Sequence, residues 1–165
     1  MTHGQTPSDA DWRRALTRFV TAITHTRELG LEVLEVTPEV TTMRLPWCDD
    51  LLGDTARGLV HGGVLTMLLD TACGSAVLPA LPAPEICPTL DLRVDHFRPG
   101  VAGRAILAEA RVIRVTESVV FTEGILWQEA GRPLARGIGN FVRLGPRNTP
   151  DGFAEALFAE EDDHA

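Results

Sequence analysis

Between Ser8 and Leu29 the apolar residues Trp12, Leu16, Phe19, Val20 and Ile23 recur at spacings of three and four, which predicts one amphipathic helix laid against a core. Ser8 or Asp9 can cap its start, Gly30 can end it, and His25 near that end reads as a surface residue facing the helix dipole. From Leu31 to Leu45 the period shifts towards two, and Val and Thr dominate as far as Thr42. Leu31 and Val33 share one face while Leu34 and Val36 fall on the opposite parity, so the expectation is one long strand or two pieces broken at Pro38. Pro46 to Gly58 reads as a loop.

The pattern changes again over GLVHGGVLTMLLDTACGSAV, from Gly58 to Val77. Asp70 is the only Asp, Glu, Lys or Arg between Arg57 and Glu85, and a run apolar on all sides predicts a buried helix. It is too short, and too soon followed by Pro79, Pro82 and Pro84, to read as a membrane span. Four strand signals follow: Leu90, Leu92 and Val94 alternating with Asp91, Arg93 and Asp95, then 102–115, 118–128 and 134–144. Gly137 and Gly139 in the last of these suggest bulges or close packing. A strand region, a buried helix and four antiparallel strands make an α+β domain in which a sheet wraps the helix. The chain therefore divides into an N-terminal amphipathic helix (1–29), a main domain (30–144) and an acidic tail (145–165), in which Phe153, Leu157 and Phe158 allow one short amphipathic turn.

Composition narrows the functional classes. With 165 residues, 44% of them hydrophobic, the chain has material for one soluble globular core. The opening MTHGQTPSDADWRR is polar rather than signal-like, and three cysteines in apolar contexts, Cys48, Cys73 and Cys87, argue against disulfides; a reducing cytoplasm is the expectation. A net charge of −8 argues against nucleic-acid binding. No Cys/His spacing suggests zinc, and the adjacent Asp162, Asp163 and His164 make a poor cage, so neither a metal nor another cofactor is expected. Gly74-Ser75 lacks the setting of a nucleophile elbow, and 53–58 lacks the Lys and Ser/Thr of a phosphate loop.

The chemistry centres on the apolar helix. Burying the lone carboxylate of Asp70 is costly, so either a structural partner or a function must hold it there. Gly62 and Gly63 follow His61 where the helix begins, and no side chain screens the first backbone amides, which are ready donors for an oxyanion. A polarising helix start and a carboxylate on one helix suggest acyl transfer. Eight residues separate Gly62 from Asp70, roughly 12 Å along a helix axis, so a single helix cannot present both to one carbonyl carbon. If both act, a second copy of the helix must supply one of them, and the site lies in a homodimer.

HGGVLTMLLD, followed by TLDLRVDHFRPG from Thr89 to Gly100, resembles the hotdog-fold acyl-CoA thioesterases of the phenylacetate-degradation type, over about Leu29 to Leu144. The resemblance implies a hotdog fold, a homodimer or a tetramer of two dimers, and hydrolysis of an acyl-CoA thioester, with medium-chain or arylacyl groups favoured. It also implies that Asp70 acts as nucleophile or general base, that the Gly62 amide polarises the carbonyl with Gly63 beside it, and that Thr89 orients water. His61 would orient the thioester or stabilise the glycine turn. Arg98 is the implied partner for the CoA phosphates. Thr55 stands where the family commonly has Asn or Gln, which leaves open what takes over that contact. Two other classes compete: a hotdog dehydratase or hydratase pairing His61 with Asp70, and a non-catalytic acyl-CoA sensor.

Overall fold

A computed structural model describes residues 6–159. Helix α1 spans Asp9–Ala22 and begins in a capping box: the Ser8 hydroxyl accepts from Asp11 N at 3.2 Å, and the Asp11 carboxylate accepts from Ser8 N at 2.9 Å. The single helix expected through Leu29 breaks at Ile23, whose backbone is extended, and a short helix α2 runs over Thr24–Glu28. The break falls in a run rich in β-branched residues, which are poor helix formers. Buried Thr26 supports it by donating its hydroxyl to the carbonyls of Val20 and Ile23.

Strands β1 (Glu32–Val36) and β2 (Thr41–Leu45) are separate pieces, turning at 37–40. The displaced parity of Leu34 and Val36 has a physical cause: the register shifts between Val33 and Glu35. This bulge turns Leu34 outward, 41% exposed, and returns Val36 to the core. The loop expected over Pro46 to Gly58 carries structure of its own, a 3-10 turn at Asp49–Leu51 and a small hairpin of β3 (Leu52–Asp54) with β4 (Leu59–Val60).

Helix α3 spans Gly62–Val77, and a 3-10 turn continues it to Ala80. Strands β5 (Thr89–His96), β6 (Ile106–Val115), β7 (Val119–Trp127) and β8 (Pro133–Val142) follow, and helix α4 (Phe153–Phe158) closes the described chain. Six strands form one antiparallel sheet in the order β1-β2-β6-β7-β8-β5, with α3 packed chiefly on β6, β7 and β8. This is the hotdog arrangement, an α+β domain with the sheet curled around one long helix.

Close approach of helix to sheet depends on two glycines that oppose each other across β7 and β8. A Cβ on Gly137 would stand 3.3 Å from the Leu69 side chain, and one on Gly124 would stand 3.0 Å from Cys73 Sγ. Close packing therefore explains Gly137, where no bulge occurs. By length and apolarity Gly62–Ala80 reaches what a membrane crossing needs, contrary to the shorter reading suggested by the prolines, and half of it is buried inside this fold.

The helix is not apolar and buried on every side. Leu65, Leu68, Leu69, Ala72, Cys73 and Ala76 enter the core, while Thr66, Met67, Asp70 and Thr71 form a half-buried face that the sheet meets at its β5 edge, where Thr89 reaches Asp70. Alternation on β5 also fails at one place: Leu90 is 62% exposed, because β5 is an edge strand whose register shifts between Thr89 and Asp91.

Both ends of the described chain pack together. Trp12 and Phe158 meet edge-to-face with ring centroids 5.0 Å apart, Arg18 Nη1 donates to the Leu157 carbonyl at 2.9 Å, and Leu157 is buried. The segment between α3 and β5 is clamped from the other side by buried Glu85, which accepts from Arg143 Nε at 3.1 Å and from Gly145 N at 2.9 Å. Removing one member of a buried ion pair strands the other, so Glu85→Ala is expected to lower the unfolding free energy by about 3–5 kcal/mol. Converting both residues to Met should recover much of that loss; urea unfolding of the two variants checks both outcomes.

Candidate active site

The β3–β4 hairpin delivers the start of α3. His61 N donates to the Leu51 carbonyl at 2.9 Å, and its backbone lies so near Gly53 that a Cβ there would stand 2.7 Å from His61 Cα. Only glycine fits at position 53 without displacing the helix start. His61 is the N-cap residue, and its Nδ1 accepts from Gly63 N at 2.9 Å, which leaves the ring proton of the neutral form on Nε2. Val64 N is paired with the His61 carbonyl at 3.0 Å. Of the two glycine amides expected to face a ligand, Gly63 is therefore engaged, while Gly62 N–H has no partner among the described residues.

Gly62 opens onto a cleft of about 350 Å³ that it shares with Val60, Leu65, His96, Phe97 and Arg98. The structure thus brings Gly62 and Arg98 together, and Arg98 takes part in no ion pair among the described residues. Thr55 stands apart from them, exposed in the turn that joins β3 to β4.

Asp70 and Thr89 form a second centre further along the helix. Thr89 Oγ1 donates to Asp70 Oδ1 at 2.8 Å, and among the described residues no arginine or backbone amide approaches the carboxylate. The expectation of a buried carboxylate is corrected here: in the single chain Asp70 is half-buried and lines a cavity of about 230 Å³. The cavity is mostly apolar, with walls that include Phe19, Ile23, Leu78, Phe141 and Phe153, and buried Ser75 lines it without a hydrogen-bond partner. No group of three possible metal ligands occurs among the described residues, and Asp162, Asp163 and His164 lie outside them.

The sequence profile of the thioesterase superfamily matches residues 57–135, which include both centres. A crystal structure of a Pseudomonas aeruginosa protein superposes with a TM-score of 0.73 at 39% identity, covering 81% of this chain and 99% of that one. The chain belongs to the thioesterase superfamily. A candidate esterase of Halobacterium salinarum is 37% identical over 98 residues, spanning 58% of this chain and 64% of that relative's length. The medium/long-chain acyl-CoA thioesterase YigI of Escherichia coli is 25% identical over 137 residues, 75% of this chain and 88% of YigI. The PaaI protein from the phenylacetic acid degradation operon of E. coli shares the fold, with a TM-score of 0.71 at 20% identity over 82% of this chain and 94% of that one.

Two features of this thioesterase-superfamily site were invisible in the linear pattern. His96 reaches the Gly62 cleft because it ends β5 beside the helix start, and a residue called by strand alternation alone carries no sign of that neighbour. The cavity beside Asp70 is walled in part by α1, the α1–α2 break and α4, the last far from the others in sequence. A Phe or Ile in an amphipathic helix reads as core, and only the fold shows that some of them border a void.

All three cysteines are free, and Cys73 and Cys87 are poorly suited to act as nucleophiles. Burial pushes the thiols of Cys73 and Cys87 up to about 11, although Cys87 borders the cavity. A raised thiol keeps its proton until the pH approaches that value, so both are expected to resist alkylation by iodoacetamide at pH 8 and to react as the pH rises towards 11. The same shifts mean that stability present below pH 9 is lost as the pH climbs through about 11, because the unfolded chain releases those protons first. Peptide mapping after timed alkylation, with the thermal midpoint followed over the same pH range, reads out both effects.

Proposed function

We propose that this chain hydrolyses acyl-CoA thioesters in a site shared by two copies of itself. The observation that carries the proposal is the free face of α3, which leaves the Gly62 amide and the Asp70 carboxylate both accessible, roughly 12 Å apart along one axis. A second α3 laid antiparallel beside the first would bring the Gly62 of one copy to the Asp70 of the other. The edge strand β5, with one backbone side unpaired, gives such a neighbour a place to join.

In that arrangement the thioester oxygen accepts from Gly62 N–H. Thr89 holds Asp70 Oδ1, which leaves Oδ2 to take a proton from water attacking the carbonyl carbon, or to attack that carbon itself. Collapse of the tetrahedral intermediate breaks the C–S bond and expels the CoA thiolate; water supplies the oxygen of the free acid and, finally, the proton of the thiol. Arg98, which lines the Gly62 cleft and makes no ion pair among the described residues, would meet the CoA phosphates. The acyl group enters the cavity behind Asp70, whose volume of about 230 Å³ holds on the order of eight groups of water or methylene size at ~30 Å³ each. That capacity supports medium-chain or arylacyl substrates. A dehydratase pairing His61 with Asp70 has less support, because His61 Nδ1 already accepts from Gly63 N at the helix start.

With a panel of acyl-CoA thioesters and a thiol reagent to detect CoA, activity is expected to peak at medium-chain or aryl groups, and Asp70→Asn should lower kcat by at least about 10²-fold while leaving the fold intact. Strict preference for acetyl-CoA would contradict the cavity argument. Normal turnover by Asp70→Asn would contradict the mechanism.

Sharing of the site has its own test. Inactive Asp70→Asn subunits mixed with inactive but folded Gly62→Pro subunits should regain about a quarter of wild-type activity, since half the dimers would be mixed and each would hold one intact site of two. A mixture that exchanges subunits yet stays inactive would show that each chain completes its own site.

A further inference from the structure

The Gly62 end of α3 is short of donors. Negative charge that develops on a thioester oxygen is best met by more than one preorganised hydrogen bond. Here the Gly63 amide is spent on His61 Nδ1, and Thr55 sits in an exposed turn away from the cleft. Of the first three amides of α3, Gly62 N–H alone has no partner among the described residues.

His96 stands where a second donor is wanted. It ends β5, where it pairs with Ala135 of β8, and the next residue is anchored by Phe97 N donating to the Leu134 carbonyl at 2.8 Å. The sole atom within 4 Å of a Cβ built on Gly62, outside the local chain, would be His96 Cε1, at 3.8 Å. Cε1 lies between the two ring nitrogens, so the polar edge of the imidazole faces the helix start. Neither nitrogen is hydrogen-bonded among the described residues, and the ring is exposed in the same cleft as Gly62 and Arg98. A side chain with a structural role would be expected to have partners; this one has none among the described residues.

Resting on the thioesterase reading above, we propose that His96 donates a ring N–H to the thioester carbonyl oxygen alongside Gly62 N–H, which makes it a catalytic residue of this chain. No covalent step is asked of it. Its hydrogen bond strengthens as the oxygen gains charge, so its loss falls on kcat rather than on KM.

The decisive comparison is His96→Phe, which keeps a ring and removes the donor, against His96→Gln, which keeps an N–H group. His96→Phe is expected to lower kcat by about 10²-fold with KM changed only a few-fold, and His96→Gln to restore most of the loss. Equal kcat in His96→Phe and wild type, or equal impairment of the Phe and Gln variants, would overturn the proposal. Circular dichroism establishes folding first, and should the Phe variant misfold, His96→Ala takes its place against Gln under the same criteria. An inactive Asp70→Asn beside a fully active His96→Phe would leave the thioesterase reading standing and remove His96 alone. A wild-type protein that releases no CoA from any thioester would remove both.

Discussion

The pairing of Gly124 with Gly137 across β7 and β8 is the contact on which the rest of this molecule depends. Two missing side chains in the middle of the sheet make a seat into which Leu69 and Cys73 of α3 descend. Adding a single Cβ there would lift the helix or bend the strands, because packed interiors have little slack. With the helix seated, Leu65, Leu68 and Ala72 are committed to the core, and geometry then dictates which residues are left outside. Asp70 is among them. The position of the carboxylate is thus a consequence of where the opposite side of the helix is held.

Much of this architecture can be read from residue order, and the failures have identifiable causes. The helix from Gly62 and the strands after Pro88 emerge from periodicity, and Asp70 stands out in the sequence as one charge in an apolar run. Leu34 and Val36 seemed out of phase because a bulge adds a residue, an event that leaves no compositional trace. The α1–α2 break at Ile23 was hidden for the opposite reason, since the helical spacing continues through it while Thr26 satisfies the freed carbonyls. The half-buried state of Asp70 was inaccessible to a pattern argument: apolar residues on every side of a helix suit a core, but Val64 and Met67 here are only half-buried in the chain's own fold.

The candidate site followed a similar course. Residues adjacent in sequence, His61, Gly62 and Gly63, were legible as a unit, although the division of labour between their groups required knowing that Nδ1 reaches Gly63 N. The link between Thr89 and Asp70, 19 positions apart, came from resemblance and is a 2.8 Å hydrogen bond in the fold. Nothing in the order of residues placed His96 at the helix start, and nothing joined Phe19 to Phe153 across one void.

That void separates two inheritable properties of the protein. The groups suited to chemistry sit on α3 and β5, whereas one part of the cavity wall comes from Phe19 of α1, Ile23 and Phe153 of α4, and α1 and α4 hold one another through Trp12, Phe158 and Arg18. If the cavity receives the acyl group as proposed, substitutions in these peripheral helices would reshape the space offered to it while the glycine seat, and with it the carboxylate, stays in place. Selectivity can therefore drift in a lineage, or be steered in the laboratory, by altering the outermost helices of the chain, with the reaction itself left under separate and much stricter constraint.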